Sequence, residues 1–244
     1  FVPGFLDLDA FPLFDYTSNS DFVYVRTGGL SCYNEKIRKS LLDLVTEGQD
    51  LCPVVLCGHS YGCYIIYRFL VDLDPRLYKR IERVVLINSA LQGGNMDARL
   101  SPTLYRYVLQ PILYISSRLA HKITGTDIFQ GNAFSDFGIE YTMWHKGNHG
   151  QEQDGRRFCD LVEKYQIPVT NIVTSLAFPR DVLSWVSYVL SVPFSRGKTL
   201  LYENDGWLLT RVQSLPESSF VQEHRLVASH TNSIGSRFFM FGGN

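Results

Sequence analysis

The stretch CPVVLCGHSYGCYIIYRFL, residues 52–70, decides how this chain is read. PVVLC is a short, unbroken apolar run, the pattern of a strand buried on both faces. CYIIYRFLVDLDP, from Cys63, reads as a helix that Asp74-Pro75 stops. Between them lies GHSYG, with Ser60 at its centre. G-x-S-x-G alone is a common pentapeptide. Set between a buried strand and a helix it gains meaning, because a sharp, strained turn there lifts the serine hydroxyl clear of the sheet. Ser60 is therefore a candidate nucleophile. Gly58 and Gly62 are needed because side chains there would collide with the flanking strand and helix. The N-terminus of the following helix supplies a positive dipole and N–H groups beneath the serine.

Outward from this turn the elements alternate. DFVYVR (21–26) reads as a strand. YNEKIRKSLLDLVTEG (33–48) carries Ile37, Leu41, Leu44 and Val45 at helical spacing and is closed by Gly48. RVVLINS (83–89) reads as a second buried strand. Strand, helix, strand, helix, strand in this order argue for a parallel sheet with right-handed crossovers, the α/β class. From Gly93 to about Gly155 no good strand occurs. TLYRYVLQPILYISSRLAHK (103–122) has a helical apolar stripe, bent at Pro111, and turn-rich sequence follows. This stretch is expected to be an insertion over the sheet. The alternation then resumes with DGRRFCDLVEKYQ as helix, PVTNIVTSL as strand, an apolar segment KTLLYEND, WLLTRVQSLP as helix and HRLVAS as a last short strand. Residues 1–244 are expected to form one domain, with 93–155 as a cap.

Composition narrows the function. Of 244 residues, 45% are hydrophobic and 19% charged, so a sizeable core can form and global disorder is excluded. The net charge of −1 comes without any Lys/Arg block, which argues against nucleic acid and anionic membrane surfaces as partners. No apolar run reaches the roughly 18 residues of a transmembrane segment, and VLSWVSYVLSVPF is interrupted by Ser and Pro. The chain starts at Phe1 without a methionine, as a processed or trimmed product would. Five cysteines are an odd number, and Cys52, Cys57 and Cys63 match no zinc spacing. They read as small buried thiols, which leans towards a reducing compartment without deciding it. His145 and His149 are four apart, but Gly147 between them favours a loop. No metal and no cofactor are expected.

At this point the sequence resembles the lipase and esterase branch of the α/β-hydrolases, most of all the bacterial triacylglycerol lipases. FVPGF (1–5) resembles their strand end and oxyanion loop, with Pro3 where a histidine usually stands. VYVRTGGLSCYNEK resembles their segment of strand, Gly-Pro-Leu-Ser run and helix. VVLINSALQGG resembles the strand after the serine turn, with Leu91 and Gln92 replacing the usual proline-histidine pair. The resemblance implies an α/β-hydrolase fold: a mostly parallel central sheet, helices on both faces and a helical cap.

A serine hydroxyl needs a base within hydrogen-bond reach, and the base needs an orienting carboxylate. In this fold the chain order is Ser, acid, His. Among six histidines, His59 lies inside the turn and is expected to point away from Ser60, and His121, His145 and His149 lie in the insertion. His230 stands at the C-terminal end of the last strand and His224 at its start, so His230 is placed as the base. Asp205, in ENDGWLL, is placed as the acid. Asp181 in FPRDVLSW is its competitor and Glu203 a third choice. The oxyanion hole is expected to use the backbone N–H of Tyr61 and, by resemblance, that of Phe5. The expected reaction is hydrolysis of a fatty-acyl lipid or other carboxylic ester, with the cap touching a lipid surface transiently. A thioesterase or acyltransferase on the same residues, or an inactive hydrolase fold that binds a lipid or protein, stay open as alternatives.

Overall fold

A computed structural model describes residues 1–4, 23–25, 33, 35–46, 53–92, 148–175, 205, 208, 210–230 and 233, with the backbone alone at 148–153 and 211. Four parallel strands form the centre: β1 (Val54–His59), β2 (Ile81–Ile87), β3 (Val169–Ser175) and β4 (Val221–Val227), in the order β1-β2-β3-β4. The N-terminal segment extends this sheet beyond β1. Val2 N–H donates to Cys57 O at 2.7 Å and His59 N–H to Val2 O at 3.1 Å, a parallel bridge between Val2 and Gly58. Residues 23–25 lie one place further out, since Phe1 N donates to Val23 O at 2.6 Å and Val25 N–H to Phe1 O at 2.9 Å.

Across the sheet the order is thus 23–25, 1–2, β1, β2, β3, β4. Chain direction along this row reverses between the first two segments and runs onward from β1. That reversal makes a topological switch point beside β1, the kind of place at which open α/β sheets hold their ligands. The switch point lies at the turn that carries Ser60.

The helices follow from apolar spacing. In α1 (Glu35–Thr46) Ile37, Leu41 and Val45 recur every four residues and are buried. In α2 (Tyr61–Asp72) most of the length is buried, including Cys63, Ile65, Ile66, Phe69 and Leu70, as suits a helix laid along β1. A 3-10 turn, Pro75–Arg80, follows, and the Asp74 carboxylate accepts from Arg76 N–H at 2.9 Å to cap it. The next helix among the described residues, α3 (Asn148–Lys164), lies beside α2. Tyr67 meets Phe158 edge-on with ring centroids 6.2 Å apart, and its hydroxyl donates to Asp154 at 3.1 Å. Burial, and then the Asp154 charge, pushes the Tyr67 hydroxyl up to about 12, so it remains a donor. The core joins Val2, Leu56, Ile66, Val84, Leu86, Phe158 and Val162 through the sheet and these helices.

Several expected boundaries move. The helix expected from Asp154 begins at Asn148, so His149 sits in a helical turn rather than a loop, and the stretch assigned to the cap up to Gly155 ends in helix. Strong helix formers at Gln151, Glu152 and Gln153 carry that first turn despite Gly150. Gly155 packs against Gln92, whose Cγ would lie 3.0 Å from an added Cβ. Among the described residues of WLLTRVQSLP the helix is α4 (Thr210–Gln213); Pro216 bars continuation, and the Gln213 side chain is turned inward. The last strand starts at Val221, so His224 lies in its middle, exposed, rather than at its start. KTLLYEN and residues 93–147 lie outside the described residues.

Candidate active site

The main chain reaches Ser60 along the sheet and then turns abruptly. Ser60 N–H still donates to Ile87 O at 2.8 Å, continuing the β1–β2 ladder. Its φ of 53° and ψ of −120° leave the extended region altogether. A non-glycine residue there stores about 1–3 kcal/mol of strain, which the surrounding packing must hold. Ser60 is half-buried, and Tyr61 opens α2 directly behind it.

The flanking glycines have different neighbours. A Cβ at Gly58 would lie 2.8 Å from Ile66 Cδ1 and 2.9 Å from Cys63 N, inside the first turns of α2. A Cβ at Gly62 would run into the carbonyl oxygens of Val2 and Pro3. Gly62 therefore meets the N-terminal segment rather than β1. The turn and the segment expected to carry the second oxyanion donor are in direct contact. Phe5 itself, like Asp181 and Glu203, lies outside the described residues.

Asp205 and His230 come together. His230 Nδ1 is 2.7 Å from Asp205 Oδ2, with side-chain exposures of 6% and 0%. The backbone supports the pairing: His230 N–H donates to Asp205 O at 2.8 Å, and Asp205 N–H to Leu208 O at 3.2 Å. Asp205 meets donors on both oxygens. Oδ1 accepts from Leu208 N–H at 2.7 Å, and Oδ2 accepts from Gln213 Nε2 at 3.1 Å as well as from His230. A carboxylate in that position fixes the imidazole proton on Nδ1 and leaves Nε2 as the acceptor. His230 lies three residues past the end of β4, on the same edge of the sheet as Ser60. Its ring packs at 4.9 Å, centroid to centroid, on the ring of His59, the residue before Ser60. No hydrogen bond joins the Ser60 and His230 side chains among the described residues.

Four further residues complete the polar cluster, and sequence reasoning gave none of them this place. Gln213 is fully buried. It donates to Asp205 Oδ2, to Thr174 O at 3.0 Å and to Leu208 O at 3.2 Å, and accepts from Thr174 N–H at 2.9 Å. Thr174 Oγ1 donates to Asn88 Oδ1 at 2.8 Å and lies 3.4 Å from Asp205 Oδ2. Asn88, just past β2, has a left-handed φ of 51° that asparagine tolerates. Its Nδ2 donates to His230 O and to Ser233 Oγ, both at 2.9 Å. The His59 ring packs against that of His230, and its Nε2 donates to His230 O at 3.1 Å. The available signal was a polar residue closing an apolar strand, as in VVLINS and NIVTS.

His224, exposed in mid-strand, takes no part in this cluster. Among the described residues no three His, Cys, Asp or Glu side chains gather to hold a metal, and no described helix is long and apolar enough to cross a membrane. Cys57, Cys63 and Cys159 are free thiols.

Solved structures share this architecture. A metagenomic carboxyl esterase is 16% identical and superposes with a TM-score of 0.56 over 94% of this chain and 63% of its own. The lipase BlEst2 of Bacillus licheniformis, in its mature form, is 13% identical with a TM-score of 0.54, over 96% of this chain and 84% of its own. This chain thus spans just under two thirds of that esterase's length. No protein-family model matches the chain, and no curated protein sequence does. At these identities the likeness establishes the fold: the protein has an α/β-hydrolase fold, and the structures it resembles are lipases and esterases.

Proposed function

We infer that the protein is a serine hydrolase acting on carboxylic esters. The observation that carries this reading is the buried 2.7 Å pairing of His230 Nδ1 with Asp205 Oδ2, at the sheet edge that also bears the strained Ser60 turn. Ser60 Oγ attacks the ester carbonyl carbon while His230 Nε2 takes its proton. Asp205 holds the imidazole in the Nδ1–H form and steadies the imidazolium that results. The oxyanion is received by the N–H of Tyr61, at the start of α2, and by that of Phe5. His230 returns the proton to the leaving alcohol, an acyl-Ser60 ester remains, and a water deprotonated by His230 cleaves it. The acyl group is proposed to be fatty, because the segment from Gly93 is rich in apolar and aromatic residues and poor in charged clamps. The stretch 93–155 is proposed to cap the site of a single-domain chain, its last residues belonging to the start of α3. The lipase and esterase structures of the same fold support the ester substrate class. Hydrolysis of p-nitrophenyl butyrate and palmitate by the protein and by its Ser60→Ala variant tests the reading. Turnover is expected only with Ser60 present, and equal turnover by the variant would overturn it.

A further inference from the structure

We propose that His59 and Asn88 are positioning residues for the base, acting through the main-chain carbonyl of His230 rather than through its ring. The inference rests on the serine-hydrolase reading and adds to it what sets the distance between nucleophile and base. Three donors converge on His230 O: His59 Nε2 at 3.1 Å, Asn88 Nδ2 at 2.9 Å and Ser233 Oγ at 2.7 Å. Ser233 belongs to the same loop as His230, so its bond shapes that loop locally. His59 closes β1 and Asn88 follows β2, so among the described residues these two donors tie the carbonyl to the strand ends.

The orientation of both donors is fixed by chemistry. A carbonyl oxygen only accepts, so His59 carries its proton on Nε2. Asn88 Oδ1 accepts from Thr174 Oγ1 at 2.8 Å, which leaves Nδ2 to face His230. His59 is 2% exposed and Asn88 0%, so neither bond competes with solvent. The two residues stand side by side: His59 is in register with Ile87, and Asn88 follows Ile87. Ser60 is bonded to His59 covalently and to Ile87 O through its N–H at 2.8 Å. The two strand ends that place the serine therefore also grip the backbone of the histidine. A shift of the His230 loop away from Ser60 must first break these bonds. Reactions of this kind are sensitive to such shifts: a displacement of about 1 Å can cost about 100-fold in rate.

Three variants separate this role from simple packing. His59→Phe keeps a ring against His230 and removes the donor. His59→Gln restores an N–H donor near the Nε2 position. Asn88→Gly keeps the left-handed backbone and removes the amide. With p-nitrophenyl butyrate, His59→Phe and Asn88→Gly are each expected to lower kcat by about 10- to 100-fold with KM within about twofold. The rate of Ser60 labelling by a fluorophosphonate should fall in parallel, and His59→Gln should recover to within about threefold of the parent. Melting temperatures of all three identify any variant that fails to fold; if His59→Phe does, Asn88→Gly and His59→Gln carry the decision. Folded His59→Phe and Asn88→Gly proteins with the parent kcat and labelling rate would overturn the positioning role. So would His59→Gln falling as far as Asn88→Gly. Failure of the underlying reading looks different: the parent would remain unlabelled at Ser60, or Ser60→Ala and His230→Ala would hydrolyse the ester as fast as the parent.

Discussion

Asp205→Asn should abolish activity while leaving the fold nearly intact, and the hydrogen bonds around Asp205 say why. Asparagine has the shape of aspartate, but one oxygen becomes an NH2 group that can only donate. The amide has two ways to sit. With NH2 at the Oδ1 position it confronts Leu208 N–H, which now bonds Oδ1 at 2.7 Å and, with Leu208 buried, would be orphaned. With NH2 at the Oδ2 position, Leu208 keeps its acceptor. Gln213 Nε2 loses one of three acceptors and retains Thr174 O and Leu208 O for its two protons. The second orientation keeps the Leu208 and Gln213 donors paired and is the favoured one. It has a consequence for His230: facing NH2 at 2.7 Å, its Nδ1 must become the acceptor and its proton must move to Nε2. The base is then protonated where it should receive the Ser60 proton. Loss of the correct tautomer costs about 10,000-fold in kcat in a serine protease, equivalent to about 5.4 kcal/mol of barrier. The stability cost is that of one lost bond with its partners re-satisfied, about 1 kcal/mol. Steady-state hydrolysis of p-nitrophenyl butyrate and guanidinium unfolding measure both quantities. A folded Asp205→Asn protein with kcat within about tenfold of the parent would refute the reasoning.

Gly62→Ala should both destabilise and inactivate, because its Cβ would lie 2.5 Å from Pro3 O and closer still to Val2 O, main-chain atoms that can retreat only by parting the N-terminal segment from β1. The overpacking should cost about 1–3 kcal/mol in a melt, with a parallel fall in kcat. Gln213→Leu fills a similar volume but strips the partners of Thr174 N–H, Thr174 O and Leu208 O, and unfolding titrations should show a loss of about 3 kcal/mol. The Cys159 thiol is pushed up to about 11 from its usual 9.0, first by burial and then by the charges of Asp160 and Glu163. Native protein should therefore leave it unreacted with a thiol reagent at about pH 8, where the unfolded chain reacts readily. A raised thiol value means that its contribution to stability is full below 9.0 and fades as pH climbs towards about 11, which unfolding at stepped pH would register.

The parts of the fold that were legible in the sequence are those governed by local pattern. The apolar run before Ser60, the four-residue spacing of Ile37, Leu41 and Val45, and the Asp74-Pro75 stop each act over a few residues, and each element lies where its pattern placed it. The side-by-side placing of Asp205 and His230 could be approached only through chain order, because their meeting depends on how the loops after the strands are folded back. Harder still were Asn88, Thr174 and Gln213. Each is an ordinary polar residue in sequence, and its place in the cluster comes from register: Asn88 and Thr174 meet because β2 and β3 pair with Ile87 opposite Ile172. Nothing in WLLTRVQSLP marks Gln213 as buried, because a polar side chain turned inward is satisfied here by four hydrogen bonds to groups distant in the chain or in the neighbouring turn. The contact of His59 with His230 has no local signal either, since it joins residues 171 apart in the chain whose rings meet only in the folded protein.

The most direct measurement is to treat the protein with a fluorophosphonate, digest it, and locate the adduct by mass spectrometry, alongside the His230→Ala variant. The expected result is a single adduct on Ser60 in the parent and slow or absent labelling in the variant. An unmodified Ser60, or labelling of Ser60 at the same rate without His230, would contradict a nucleophile activated by this histidine.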